Sequence, residues 1–381
     1  MNACYVLLKF PVLSETFIRD EIDALTEAGH QVMTVSLEGP AGADIALGTH
    51  RTRSPWVAQR ALSLALRRPG PVVRALRRPH LTMGLRLKVL AAAEEARRRG
   101  VDTVHAHFAY RNADAAELVG IALGTGHSFT AHAHDIFVEN SQLGRRLEAA
   151  RVAVTVCEYN RSFMVAEYPQ AADRIPVIPC STRLPADDDA EPPDNEVPVV
   201  LSVGRLIEKK GFDDLLAAFA QLDAPARLVI IGDGPLRGQL EALGRQLGIA
   251  ERMTMLGSMD HRATLGWFKR ADIFVLACKV AADGDRDSMP VVTKEAMAAG
   301  LPVVSTDEVG VPEMVDDGRT GLLVPPSDPD ALAAALAKLV GDPDRRRQMG
   351  LLGRRLVAER FDIRNQAGAV AVAIGPVVGH D

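Results

Sequence analysis

Val199-Val200-Leu201-Ser202-Val203-Gly204-Arg205-Leu206-Ile207-Glu208-Lys209-Lys210-Gly211-Phe212 is the stretch on which the fold turns. A short apolar run ends in glycine, passes through a loop carrying Arg205 and Lys210, and enters an apolar helical pattern over Phe212–Leu222. A strand that hands over to a helix in this way is the unit of a doubly wound sheet. Such sheets bind ligands outside the carboxyl ends of their strands. Further hand-overs follow at Gly232-Asp233-Gly234-Pro235, at Asp287 with Glu295 eight positions on, at Ala299-Gly300-Leu301-Pro302, and at Val309-Gly310-Val311-Pro312-Glu313.

Working outward, the pattern predicts strands at Val197–Val203, Arg227–Ile231, Met253–Leu256, Ile273–Ala277, Pro302–Ser305 and Leu322–Val324. Helices are expected over Pro235–Gly244, Pro290–Ala299, Asp330–Val340 and Pro343–Arg360. The N-terminal part repeats the alternation, with strands at Tyr5–Phe10, Gln31–Leu37, Thr103–His107, Ser128–His132, Val152–Cys157 and Ile175–Ile178. Ser14 is the expected N-cap of its first helix. Residues 184–196 are acidic, proline-rich and nearly free of large apolar side chains, which marks a linker. The chain is therefore expected to be α/β, with a first domain over 1–183 and a second over 197–361, joined by 184–196 and facing each other across a ligand cleft.

With 381 residues, 47% apolar and 24% charged, the chain suits two soluble domains. A net charge of −5 argues against nucleic acid as a partner. Cys4, Cys157, Cys180 and Cys278 are scattered and fit no ligand spacing, so they are expected to be reduced, buried fillers. The start lacks the pattern of a signal peptide and no run reaches membrane-spanning length, so a cytoplasmic location is expected. Residues 51–99 carry thirteen Arg or Lys against Glu94 and Glu95 alone. That stretch is either a set of solvated helix faces or a contact with anionic lipid on the inner face of the membrane.

Arg205 and Lys210 at a helix N-terminus suit a diphosphate, the alternative being solvated loop cations. Gly204, Gly232 and Gly234 permit close approach to the backbone, although Gly232 and Gly234 also fit an ordinary tight turn. Leu256 and Gly257 close a strand where backbone groups would be free to read a base. Asp287 and Glu295 bracket Ser288, Met289, Pro290 and Val291; with Pro290 starting a helix, Met289 and Val291 expose free N–H groups near Asp287, and the two carboxylates suit vicinal hydroxyls of a sugar or ribose, or else serve as a cap and a first-turn acid. Asp283, Asp285 and Asp287 invite a divalent ion, but an arginine lies among them and no metal is expected. His105, His107, His132 and His134, with Asp135, gather at the ends of two strands without completing a metal set. His132 is read as lining the cleft.

These motifs resemble the retaining family 4 glycosyltransferases of GT-B fold, whose two Rossmann-like domains enclose a cleft. The likeness runs from Ser202 through Glu313. In the first domain, Phe10-Pro11-Val12-Leu13-Ser14-Glu15-Thr16-Phe17-Ile18 and Phe129-Thr130-Ala131-His132-Ala133-His134-Asp135-Ile136-Phe137 resemble the exopolysaccharide and colanic-acid-type branch. The resemblance implies a metal-independent hexosyltransferase without a cofactor, taking a UDP-sugar in the first instance or a GDP-sugar. The acceptor would be a hydroxyl or amine of a glycan, a lipid-linked intermediate or a secondary metabolite. Arg205 and Lys210 would hold the diphosphate, Glu295 the ribose, and Asp287 with the following amides the transferred sugar. His132 would lie beside that sugar, and Ser14, Glu15, Thr16, His107, His134 and Asp135 are assigned to the acceptor side. Residues 362–381 would return to pack on the first domain.

The family's usual first acid is Glu, and Asp287 is shorter by one carbon–carbon bond, about 1.5 Å. That departure predicts altered donor-sugar choice or a bridging water. The sequence also leaves room for a nucleotide-sugar 2-epimerase of the same fold, or for a catalytically silent nucleotide-sugar-binding partner.

Overall fold

The computed structural model describes residues 1–12, 15–39, 42–48, 54–184 and 195–376. The chain divides into two units, Met1–Pro179 with Arg364–Asp381, and Cys180–Ile363.

The first unit holds six parallel strands, β1 (Asn2–Lys9), β2 (Gln31–Glu38), β3 (Ile45–Ala46), β4 (Thr103–His107), β5 (Ser128–Ala131) and β6 (Val152–Thr155), in the order β3-β2-β1-β4-β5-β6. The second holds β7 (Val199–Val203), β8 (Arg227–Ile231), β9 (Met253–Gly257), β10 (Ile273–Leu276), β11 (Val303–Thr306) and β12 (Gly321–Val324), in the order β12-β11-β10-β7-β8-β9. Read from the other edge, the second order is the same as the first. Each sheet reverses direction between its first and fourth strands, β1/β4 and β7/β10. The crevice of a doubly wound sheet opens at that point. Central strands such as Val200-Leu201 and Ile273–Leu276 are buried, as a parallel sheet covered on both faces requires.

Most predicted strands lie within a few residues of the observed ones. Ile175–Ile178 is the exception: it makes only an isolated bridge between Val177 and Thr155, with the Ile178 N–H donating to the Thr155 carbonyl at 2.8 Å. Pro176 and Pro179 flank that bridge without an N–H to extend the ladder. β3, two residues long, was too short for periodicity to reveal. The first helix runs Thr16–Glu27 with Glu15 at its N-cap; Ser14 lies outside the described residues.

The unit boundary also differs from the expected residue 183. The Thr182 N–H donates to the Phe361 carbonyl at 3.0 Å and the Ile363 N–H to the Thr182 carbonyl at 3.1 Å, which ties 180–183 to the second unit. Most of the expected linker, residues 185–194, lies outside the described residues. The last helix, Ile363–Ile374, enters the first unit, where the Gln366 amide donates to Glu21 at 3.0 Å.

The arginine-rich stretch folds as three helices, Ser54–Arg67, Pro69–Leu76 and Met83–Arg98. Five of its arginines are consumed in ion pairs: Arg60 with Glu95, Arg78 with Glu117, Arg97 and Arg98 with Glu94, and Arg99 with Asp44. Arg68, Arg86 and Lys88 donate to backbone carbonyls. Arg67, Arg74 and Arg77 have no such partner among the described residues, and Leu62, Leu66 and Val73 beside them are exposed. Arg51 and Arg53 lie outside the described residues.

Candidate active site

At the switch point of the second sheet, two loops are forced together by a missing side chain. Gly211 ends the loop after β7 at φ +63°, and a Cβ built there would lie 1.8 Å from the Ala277 carbonyl oxygen just past β10. Only glycine accepts both the left-handed backbone and that approach. Gly232 does the same for the loop after β8. At φ +142° its Cβ would fall 1.8 Å from the Gly204 carbonyl, and the Leu206 N–H donates to the Asp233 carbonyl at 3.0 Å. The close neighbour that Gly232 and Gly234 admit is thus the chain's own Gly204–Leu206 turn. At the sheet edge the register slips so that Ile230 faces Met255 and Ile231 faces Gly257, which leaves Leu256 without a counterpart on β8. The Gly257 carbonyl accepts the Gly232 N–H at 2.9 Å.

This packing brings Lys210 to Asp287. Their charged atoms are 2.6 Å apart, Lys209 stands 3.5 Å from the same carboxylate and 3.0 Å from Asp285, and the Cys278 thiol donates to Asp287 at 3.6 Å. Burial would push the Asp287 carboxyl up, but the charges of Lys210 and Lys209 and the bonds from Lys210 and Cys278 outweigh it and hold the group below its ordinary range. Burial likewise works against the charge on Lys210, and Asp287 reverses the balance and raises its pKa. Of the three acids suggestive of a divalent ion, Asp285 and Asp287 are therefore engaged by lysines, and Asp283 accepts the Asp285 N–H at 2.9 Å. Arg205 projects from the turn, exposed, and bonds neither Asp287 nor Glu295.

The helix Val291–Ala298 starts one residue later than the expected Pro290, which occupies the N-cap and has no N–H, so the first helical N–H belongs to Val291. The Ser288 carbonyl accepts the Gly310 N–H at 2.9 Å, and Arg286 reaches Glu308 at 3.9 Å. The 286–288 loop is thereby tied to a turn in which buried Val309 adopts φ +47°, an uncommon state for a β-branched residue. Glu295 lies within this helix with its carboxylate 3.7 Å from His261 Nδ1. His261 opens the helix after β9, where Asp260 caps it by accepting the Ala263 N–H at 2.7 Å. Next to Glu295, the Lys294 side chain is fully buried, bonded to the Cys180 carbonyl with its ammonium 5.1 Å from the Phe361 ring centre.

In the first unit the histidines form a buried cluster at the carboxyl ends of β4 and β5. His107 Nδ1 lies 3.3 Å from His132 Nε2, and His107 Nε2 lies 3.0 Å from Glu21 Oε1. The rings of Phe17 and Phe108 pack on His132 at 5.0 and 4.5 Å, Phe108 held there by a backbone at φ +71°. Burial, reinforced by His107, drives the His132 pKa well below its usual value, so its ring is neutral. Glu15, at the helix cap, has its carboxyl raised by burial, with His107 working against the rise; Thr16 is the first helical residue.

His134 Nδ1 pairs with the Tyr110 hydroxyl at 2.6 Å. Asp135 is fully buried and accepts the backbone N–H groups of Ala109 and His132, a structural use of its oxygens. Glu21, His105 and His107 bring potential metal-ligand atoms within 4.8 Å of one another. Every one of them is already engaged: His105 bonds Ser128 and Thr130 at 2.9 and 3.0 Å, and Glu21 bonds Tyr5 at 2.8 Å.

Lys209, His261 and Glu21 had not been singled out as site residues. Glu21 left a trace, a charged residue on the apolar stripe of Ile18, Ile22 and Leu25. His261 left none, because its proximity to Glu295 spans 34 positions and is purely tertiary. All four cysteines are buried and free of disulfides.

Two sheets of dinucleotide-binding order in one chain, one of them with cations and carboxylates converging at its switch point, define the GT-B class of glycosyltransferases. The family described as "Glycosyltransferase Family 4" matches residues 14–184, and that described as "Glycosyl transferases group 1" matches residues 185–355. The chain is 31% identical to a GDP-mannose-dependent alpha-(1-6)-phosphatidylinositol monomannoside mannosyltransferase of Mycolicibacterium smegmatis, over 64% of this chain and 68% of that protein. It is 29% identical to WcaL of Salmonella typhimurium, a glycosyltransferase assigned by its name to colanic acid biosynthesis, over 95% and 96% of the two chains. Among solved structures, Anabaena HepE in complex with UDP and glucose superposes with a TM-score of 0.71 at 16% identity, over 98% of this chain and 99% of that one. The protein belongs to the group 1, family 4 glycosyltransferases.

Proposed function

We propose that this glycosyltransferase moves a hexosyl residue from a nucleoside diphosphate sugar, a UDP-sugar first and a GDP-sugar second, with retention of anomeric configuration and without a metal ion. The observation that carries the reading is the convergence of Lys209 and Lys210 on Asp287 at the switch point of the second sheet. A departing diphosphate needs fixed positive charge, and Arg205, Lys209 and Lys210 supply it on one loop. With Asp285 and Asp287 paired to Lys209 and Lys210, charge neutralisation is assigned to the cations of this loop. Glu295 is assigned to the ribose hydroxyls, and Asp287 with the amides from Val291 onward to the transferred sugar. UDP in HepE supports the uridine donor, while the name of the mycobacterial relative supports guanosine.

In the reaction so read, the bond from the anomeric carbon to the diphosphate breaks and the acceptor oxygen bonds to the same face. The acceptor proton passes to the departing phosphate oxygen. His132 is assigned to the sugar and Glu15, Thr16 and His134 to the acceptor, which is a glycan, a lipid-linked intermediate or a small natural product. No helix among the described residues is long and apolar enough to cross a membrane. Arg67, Arg74 and Arg77, which have no ion-pair or hydrogen-bond partner among the described residues, lie beside Leu62, Leu66 and Val73 and support contact with anionic lipid from the cytoplasmic side.

A thermal-shift panel of UDP-, GDP- and ADP-sugars tests the donor, since a ligand bound only by the folded state stabilises it by mass action. Radiolabelled donor is then followed for slow hydrolysis to free sugar. Stabilisation by no nucleotide sugar, or turnover abolished by chelation and restored by a divalent ion, would overturn the respective parts of the reading.

A further inference from the structure

Glu21 is a buried acid bonded from three separate elements of the first unit, and no role assigned so far uses it. It lies on the helix Thr16–Glu27 with only 2% of its surface exposed. Its Oε1 accepts the Tyr5 hydroxyl at 2.8 Å and faces His107 Nε2 at 3.0 Å, and its Oε2 accepts the Gln366 amide at 3.0 Å. Tyr5 comes from the middle of β1, His107 from the end of β4, and Gln366 from the last helix, 345 positions away in sequence. Burial opposes the charge on Glu21, but His107 and the bonds from His107 and Tyr5 outweigh it and keep the carboxyl below its ordinary range. A carboxylate can only accept. The Nε2–H tautomer of His107 satisfies that carboxylate and presents Nδ1 as an acceptor. That nitrogen faces His132 Nε2 at 3.3 Å, the two rings stacked at 25°.

We propose that Glu21 is a positioning residue for His132: through His107 it selects the Nε2–H tautomer of His132 and holds the plane of its ring, with Tyr5 and Gln366 fixing the carboxylate in turn. The inference rests on the reading of His132 as the histidine beside the transferred sugar. A partner two bonds removed sets the proton position of a functional imidazole by choosing which of its nitrogens can donate. Phe17 and Phe108 complete the device by packing on the His132 ring, so that rotation about its side-chain bonds is opposed. The last helix thus contributes a polar group, Gln366, to the support of a histidine from the first half of the chain.

The test is ring 15N NMR of histidine-labelled protein, run beside donor hydrolysis kinetics, for wild type, Glu21→Gln and the milder Gln366→Met. In wild type the His132 shifts should report Nε2–H, unchanged from about pH 6 to pH 8. Glu21→Gln should mix the tautomers of His107 and His132 and lower kcat roughly 10- to 100-fold. The donor KM should stay within about twofold, since the cations assigned to the diphosphate lie in the other unit. Gln366→Met should act in the same direction with a smaller effect, and covers the case in which Glu21→Gln does not fold. Unaltered His132 shifts in folded Glu21→Gln would overturn the proposal, as would a loss carried wholly by KM. If wild type turns over no nucleotide sugar, the transferase reading fails, while the NMR arm still decides whether Glu21 sets the tautomer.

Discussion

Gly211→Ala isolates the contact that builds the proposed donor site. The new Cβ would sit 1.8 Å from the Ala277 carbonyl oxygen, and real Cβ atoms do not come within 3.0 Å of such a neighbour, so the loop must retreat by at least about 1.2 Å. A left-handed alanine adds roughly 1–2 kcal/mol. If Lys210 moves with the loop, its 2.6 Å bond to Asp287 opens to about 3.8 Å, beyond hydrogen-bonding reach. Charge-assisted bonds contribute about 1.5–3 kcal/mol each, so displacing the cations by one bond's worth should weaken donor binding about 10- to 100-fold. Calorimetric titration with the donor found by thermal shift measures the loss. Gly238→Ala is the control: its Cβ meets nothing within 4 Å on the helix Arg237–Gln246, so that variant should bind normally and be slightly more stable. Gly211→Asn separates the two causes, because asparagine tolerates the backbone but still carries the clashing Cβ. A folded Gly211→Ala protein with wild-type donor affinity would refute the reasoning.

Glu295→Ala and Arg205→Ala should each lower donor turnover roughly 100-fold or more; wild-type rates in both would remove these residues from the site. Asp287→Asn should destabilise the second unit by about 3 kcal/mol, as removing one partner of a buried pair does, measured by urea unfolding. The Asp287 pKa is lowered and that of Lys210 raised, so this difference should be constant through neutral pH and close as pH falls below the ordinary carboxylate value of 3.8. A difference that instead grows with acid would contradict the assigned ion pair. Replacing Arg67, Arg74 and Arg77 together by Glu should abolish sedimentation with phosphatidylserine vesicles and leave donor hydrolysis unchanged; equal sedimentation of both proteins would exclude lipid contact through this face.

The alternation of short apolar runs with helical patterns was legible because each element's burial is written in its own residues. Ile273–Leu276 is a continuous apolar run, and Val199–Val203 is one but for Ser202, since both faces of a parallel sheet are covered. The position of Gly204, Arg205 and Lys210 just past a strand end was legible for a related reason: a doubly wound sheet hands each strand over to a helix through a short loop, and glycine followed by cations marks that loop. Segments held by a single long-range contact were not. The Ile175–Ile178 run carries strand composition but lies between prolines that stop the ladder, and β3 is defined only by its pairing with β2. The three-helix stretch was read by its charge, yet most of its cations are engaged by carboxylates or backbone carbonyls of the same unit.

By itself the sequence determined the two doubly wound halves, their strand-to-helix turns and the identity of the charged groups placed on them. Tertiary structure alone decided which of those charges meet: Lys210 with Asp287, Glu295 with His261, and Glu21 with Tyr5, His107 and Gln366. The division has a physical cause. Secondary structure follows from burial patterns repeated every two or every 3.6 residues, whereas an ion pair or a proton relay depends on distances of about 3 Å between atoms far apart along the chain, which only packing sets.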